Sequence, residues 1–108
     1  MRSAYRSVWL FVMFDLPVDD RKARRDYTLF RKDLIRQGFT MLQFSIYARY
    51  FASEEAASTR KGRLRSAIPP RGQVRFLVVT DHQFGKMEVY IGKSLGTTEE
   101  PPVQGVLF

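Results

Sequence analysis

A chain of 108 residues with 44% apolar and 14% aromatic side chains has the length of one domain and enough apolar surface for a packed core, which argues against disorder. Eighteen Lys and Arg against eleven Asp and Glu give a net charge of +7, which favours a polyanionic partner such as nucleic acid or an acidic membrane surface. The absence of cysteine excludes a disulfide framework, a zinc knuckle and thiol chemistry, and suits a reducing compartment, so the cytoplasm is the expected location.

The first apolar run, Val8 to Phe14, is far shorter than the roughly 20 residues a membrane helix needs. It ends at Asp15 with no small-residue cleavage site behind it, so neither a membrane anchor nor a signal peptide is expected. The run is rich in aromatic and β-branched residues and stops at Leu16-Pro17, which predicts a strand. Asp19 or Asp20 then caps a helix from Arg21 to Gln37, in which Ala23, Tyr27, Phe30 and Leu34 form one apolar stripe and Gly38 supplies the stop.

Phe39 to Phe51 predicts a kinked strand or two short strands at a tight bend. Ser53 opens a second helix that contains Gly62 and runs to about Ala67, before Pro69-Pro70. Gln73 to Thr80 is a further strand, Asp81 to Gly85 a turn, and Lys86 to Ile91 a last short strand. Residues 1–96 are therefore expected to form one domain. Residues 97–108 are expected to form a linker and a short apolar interaction tail from Val103 to Phe108.

This order matches an α+β, ferredoxin-like split βαβ sandwich, with an antiparallel sheet carrying both helices on one face. A solvated second face would be polar at alternate positions. In the first strand, however, Trp9, Phe11 and Met13 are as apolar as Val8, Leu10, Val12 and Phe14, and Leu77 and Val79 oppose Phe76 and Val78. With nothing of its own to cover that face, the chain is expected to form a two-fold homodimer through it.

On the first helix Arg21, Arg25, Lys32 and Arg36 lie opposite the apolar stripe, with Lys22, Arg24 and Arg31 beside them, a cationic ridge suited to backbone phosphates. Asp15 ends the first strand on the face assigned to the dimer. Two symmetry-related copies near the axis would tolerate each other with a divalent cation or a proton between them. Asp19 and Asp20 fit caps better than ligands, and Asp81 fits a turn. His82, the sole histidine, has no partner for general-base work, Ser45 and Tyr47 have no nearby base, and no glycine-rich phosphate loop is present.

The segment Val12-Met13-Phe14-Asp15-Leu16-Pro17, the basic helix after it, and Gly38-Phe39-Thr40-Met41-Leu42-Gln43-Phe44-Ser45-Ile46-Tyr47 resemble the CRISPR-associated protein 2 family. Val74 to Gly92, with Thr80-Asp81, Gln83-Phe84-Gly85 and Met87-Glu88, and the ending Leu107-Phe108 extend the likeness over nearly the whole chain. The resemblance implies a ferredoxin-like homodimer that bridges the CRISPR integrase and supports duplex DNA during spacer acquisition. It also implies a magnesium-dependent endonuclease acting on RNA or DNA, with the Asp matching Asp15 as catalytic and metal-binding residue. Two rivals share the topology: an RNA-recognition module stacking bases on Trp9 and Phe11, which would need a basic-Gly-aromatic signature not found here, and a ribonuclease toxin. Within the resemblance, a nuclease competes with a non-catalytic scaffold.

Overall fold

The computed structural model describes residues 6–96 together with 98 and 99, so the tail from Val103 to Phe108 lies outside the described residues. The elements are β1 (Val8–Asp15), α1 (Arg21–Arg36), β2 (Thr40–Gln43), β3 (Ile46–Phe51), α2 (Glu54–Arg65), β4 (Gln73–Thr80), α3 (Asp81–Gly85), β5 (Tyr90–Ile91) and β6 (Ser94–Leu95).

Capping chemistry sets the ends of α1. Asp20 is extended and its carboxylate accepts from the Ala23 amide at 2.7 Å, satisfying one of the free amides of the first turn. At the other end the Gly38 amide donates to the Ile35 carbonyl and the Phe39 amide to the Leu34 carbonyl, both at 3.0 Å. This double closure needs a left-handed residue after the cap, which Gly38 supplies at φ 89°. Of the expected stripe, Ala23, Phe30 and Leu34 are buried, and Tyr27 packs against the same core.

The aromatic run after α1 divides at Phe44-Ser45 into β2 and β3, with Ser45 at φ 65° and its carbonyl accepting from the Phe14 amide at 3.1 Å. The four main strands are antiparallel in the order β2-β3-β1-β4, the arrangement of the split βαβ plan. The central strand β1 sets Met13 between Ile46 of β3 and Arg75 of β4. Val8, Leu10, Val12 and Phe14 of β1 form one core with Phe30 and Leu34 of α1, Ala57 and Leu64 of α2, and Tyr47 and Phe51 of β3. Both helices therefore cover the same face.

The second face departs from expectation. Asp81–Gly85 is a short helix, not a turn, opened by a reciprocal cap in which Thr80 and Gln83 bond each other's backbone amides. It lowers the buried Phe84 onto the other parity of β1, where its ring stacks on Trp9 at 3.8 Å. The Trp9 indole N–H donates to Asp81 at 2.8 Å, so Asp81 is an anchor as well as a helix residue. The expected strand over Lys86 to Ile91 shortens to β5, which pairs with β6 in a separate two-stranded ribbon instead of joining the main sheet. No helix among the described residues is long and apolar enough to cross a membrane.

Candidate nucleic-acid and metal site

Because α3 reaches only the Trp9 end of the second face, the Asp15 end is left open. Trp9 is 5% exposed with its indole nitrogen engaged, so it offers no ring to a nucleic-acid base, which removes one of the two stacking rings of the RNA-recognition rival. Phe11 also packs against the Phe84 ring, at 5.7 Å, whereas toward the other end Met13 and Ile46 are half-buried and Leu77 is 48% exposed. Phe44, at the adjoining bend, is 80% exposed.

Asp15 closes this end of the strand. Its side chain is exposed and shares a depression of about 300 Å³ with Met13, Phe44, Ile46, Gln73 and Arg75. The pairing Asp15↔Gln73 and Met13↔Arg75 places all four side chains on one sheet face, since directly opposed residues of antiparallel strands point the same way. Arg75 is aimed by its Nε, which donates to the Gln73 side-chain oxygen at 3.0 Å. The sequence reading overlooked Arg75, although the signal was present: Gln73 and Arg75 make one parity of β4 polar just where it passes Asp15.

The backbone at Asp15 is held from the side by Gly72. At φ 96°, a Cβ there would lie 2.7 Å from the Asp15 carbonyl oxygen and 2.8 Å from a Leu16 methyl, so only glycine lets the start of β4 approach this closely. Next to it Arg71 donates to Asp19 at 3.1 Å and to Asp20 at 3.3 Å, tying the cap of α1 to the entry of β4. Arg71 holds the Asp19 carboxyl below its usual value of 3.8. Among the described residues no three metal-ligating side chains come together, and Asp15 is the one carboxylate lining the depression. A lone carboxylate is a poor metal site, and a magnesium ion, which binds through one or two carboxylates while keeping several waters, would need a second donor beside this one.

The basic residues of α1 divide by their contacts. Arg21, Lys22, Arg24, Arg25, Lys32 and Arg36 are all exposed. Lys22 pairs with Asp26 at 3.0 Å, Arg36 with Asp33 at 3.4 Å, and Arg24 turns back to the Val18 carbonyl at 3.2 Å. Arg21, Arg25 and Lys32, on the side away from the core, have no ion-pair partner among the described residues. At about 1.5 Å per residue the ridge from Arg21 to Arg36 is roughly 22 Å long, enough to face several backbone phosphates.

Comparison with known proteins identifies the family. Residues 8–87 match the family described as CRISPR associated protein Cas2. The chain belongs to this family. A protein of Parvibaculum lavamentivorans named CRISPR-associated endoribonuclease Cas2 is 48% identical over 101 residues, covering 94% of this chain and all of the relative. Proteins of the same name from Flavobacterium psychrophilum, 45% identical over 96% of this chain and 90% of the relative, and Paracidovorax avenae, 36% identical over the full length of both, resemble it too. The Cas2 match includes the whole of β1 through α3, and thus Asp15, the basic helix and Arg75.

Proposed function

We propose that this Cas2 family member is a homodimeric nucleic-acid-binding protein of CRISPR adaptation, which works with the CRISPR integrase and hydrolyses phosphodiesters at a magnesium site shared by two Asp15 carboxylates. The observation that carries the reading is the open half of the second sheet face, an apolar surface ending at Asp15. A second copy packed there by two-fold symmetry buries Leu77 and its neighbours, as exposed patches of this kind favour, and brings the two strand ends toward the axis. The names of the relatives support the nuclease, with RNA as its first substrate class, and duplex DNA is the substrate of the adaptation role. The cytoplasm is the compartment where both occur.

The roles then divide by residue. Asp15 from each protomer would hold the ion. A bound divalent cation supplies positive charge to the transferring phosphoryl group and an activated water. Arg75, aimed by Gln73, would donate to a phosphate oxygen of the bound strand, where charge develops during displacement. Arg21, Arg25 and Lys32, with Lys22, Arg24 and Arg36 in support, hold the backbone without reading bases.

A second reading is a scaffold that binds duplex DNA for the integrase without cutting it, and it is favoured by the single carboxylate each chain contributes. Asp15→Asn separates the two, because it preserves size and removes both charges from the shared site with one substitution. We expect magnesium-dependent cleavage to vanish while dimerisation, duplex binding and integrase-supported DNA insertion persist. Cleavage surviving in purified Asp15→Asn protein contradicts the metal role of Asp15.

A further inference from the structure

A second cationic feature lies at the C-terminal end of α1, away from the Asp15 face. Arg49 occupies an inward position of β3, between the buried Tyr47 and Phe51, where an apolar side chain is the ordinary occupant. Its guanidinium carbon sits 4.5 Å from the Phe51 ring centre, and its Nε is 3.3 Å from where a Gly38 Cβ would be, so ring and glycine confine it on two sides. One nitrogen donates to the Gln37 carbonyl at 3.1 Å. From α2, Arg60 donates to the Gln37 side-chain oxygen, also at 3.1 Å. Two half-buried arginines therefore converge on the two oxygens of one residue, and neither has a carboxylate partner among the described residues.

Capping the helix does not account for this much charge. Arg36, Arg49 and Arg60 bring three positive charges to the corner. Asp33, which accepts from Arg36 at 3.4 Å and from the Gln37 side-chain Nε2 at 2.7 Å, returns one negative charge. The remaining +2 exceeds the roughly half negative charge of a helix C-terminus. Each guanidinium carries five N–H donors, and one nitrogen of each is engaged among the described residues, leaving donors to face an acceptor with several oxygens. Burial, and after it the neighbouring charge of Arg60, hold Arg49 below the usual arginine value, and an anion bound between the two would relieve that repulsion.

We infer that Arg49 and Arg60 form a phosphate subsite that takes a backbone phosphate of a bound nucleic-acid strand just beyond the Arg36 end of the α1 ridge. The inference rests on the nucleic-acid reading above and extends it: the track turns from α1 onto β3 and α2, with Gln37 as the pivot that sets the spacing of the two guanidinium groups.

The test is a salt series of labelled-duplex binding followed by fluorescence anisotropy, with thermal unfolding in parallel. It compares the wild type, an Arg21/Arg25/Lys32→Gln ridge variant, Arg60→Gln, Arg60→Lys and Arg49→Gln. Arg60→Gln leaves the Arg49 bond to the helix end in place, so it is expected to keep the wild-type unfolding midpoint while lowering the log–log salt slope by about one unit. Arg60→Lys should restore the slope. If Arg49→Gln stays folded, its slope should fall likewise. An unchanged slope in Arg60→Gln, with the ridge variant's slope reduced, overturns the subsite. So does a fall in midpoint and affinity together at constant slope, which marks a purely structural tie. A wild type that does not bind duplex overturns the nucleic-acid reading itself, a distinguishable failure.

Discussion

Asp15 owes its position to a neighbour with no side chain. Gly72 combines a left-handed backbone with a close approach to the Asp15 carbonyl, so Gly72→Ala carries both conformational strain and a clash. It is expected to cost about 2–3 kcal/mol in urea unfolding. A loss below about 1 kcal/mol would mean that β4 moves aside easily and does not hold the carboxylate. One residue earlier, Arg71 depresses the Asp19 pKa, so the pair's stabilising contribution is present above about pH 3.8 and is lost as the pH falls below it. Arg71→Ala should therefore separate from the wild type at neutral pH and converge with it in acid, as followed by thermal unfolding across that range. Both side chains are well exposed, and the gap will be small. Asp15 was legible as a candidate because a carboxylate ending an apolar strand stands out in sequence. Arg49 was not, because a single arginine among aromatics gives no hint that Arg60, eleven residues on, meets it over Gln37.

The elements differ in how openly the chain announces them. α1 combines a capping Asp, an apolar stripe of helical period and a terminal glycine, and its observed ends agree with all three. β1 and β4 are similarly plain. α3 spans five residues, too few to display a period, and it buries only Phe84. Its readable mark was the Thr80 to Gln83 spacing of a reciprocal cap, and reading Asp81–Gly85 as a turn passed over it. The helix nevertheless decides how much of the second face stays bare. Phe84→Ala should cost about 3 kcal/mol and leave Trp9 in water, seen as a red-shifted tryptophan emission. An unshifted spectrum would place the cover of Trp9 elsewhere. On α1, Lys32 lacks an ion-pair partner among the described residues whereas Arg36 is engaged with Asp33. Lys32→Gln is thus expected to lower the salt slope of duplex binding more than Arg36→Gln does. Equal effects would mean that the Arg36 pair opens on binding.

At the scale of the whole molecule the sequence pattern exposed a two-sided apolar sheet, but not how much of its second side the chain covers by itself. α3 covers the Trp9 end, and the Asp15 end is open. Association through the open half should give a species of about twice 12.6 kDa in sedimentation, and Leu77→Glu should return it to the monomer by placing a charge in that face. The most direct test of the shared Asp15 site mixes wild-type and Asp15→Asn protein under exchange and measures magnesium-dependent cleavage against the mixing ratio. If each site needs a carboxylate from both protomers, activity falls as the square of the wild-type fraction, to about a quarter in an equal mixture of randomly paired protomers. Activity that falls linearly, to about half, would mean that each chain carries its own site, contradicting a centre built across the two-fold axis.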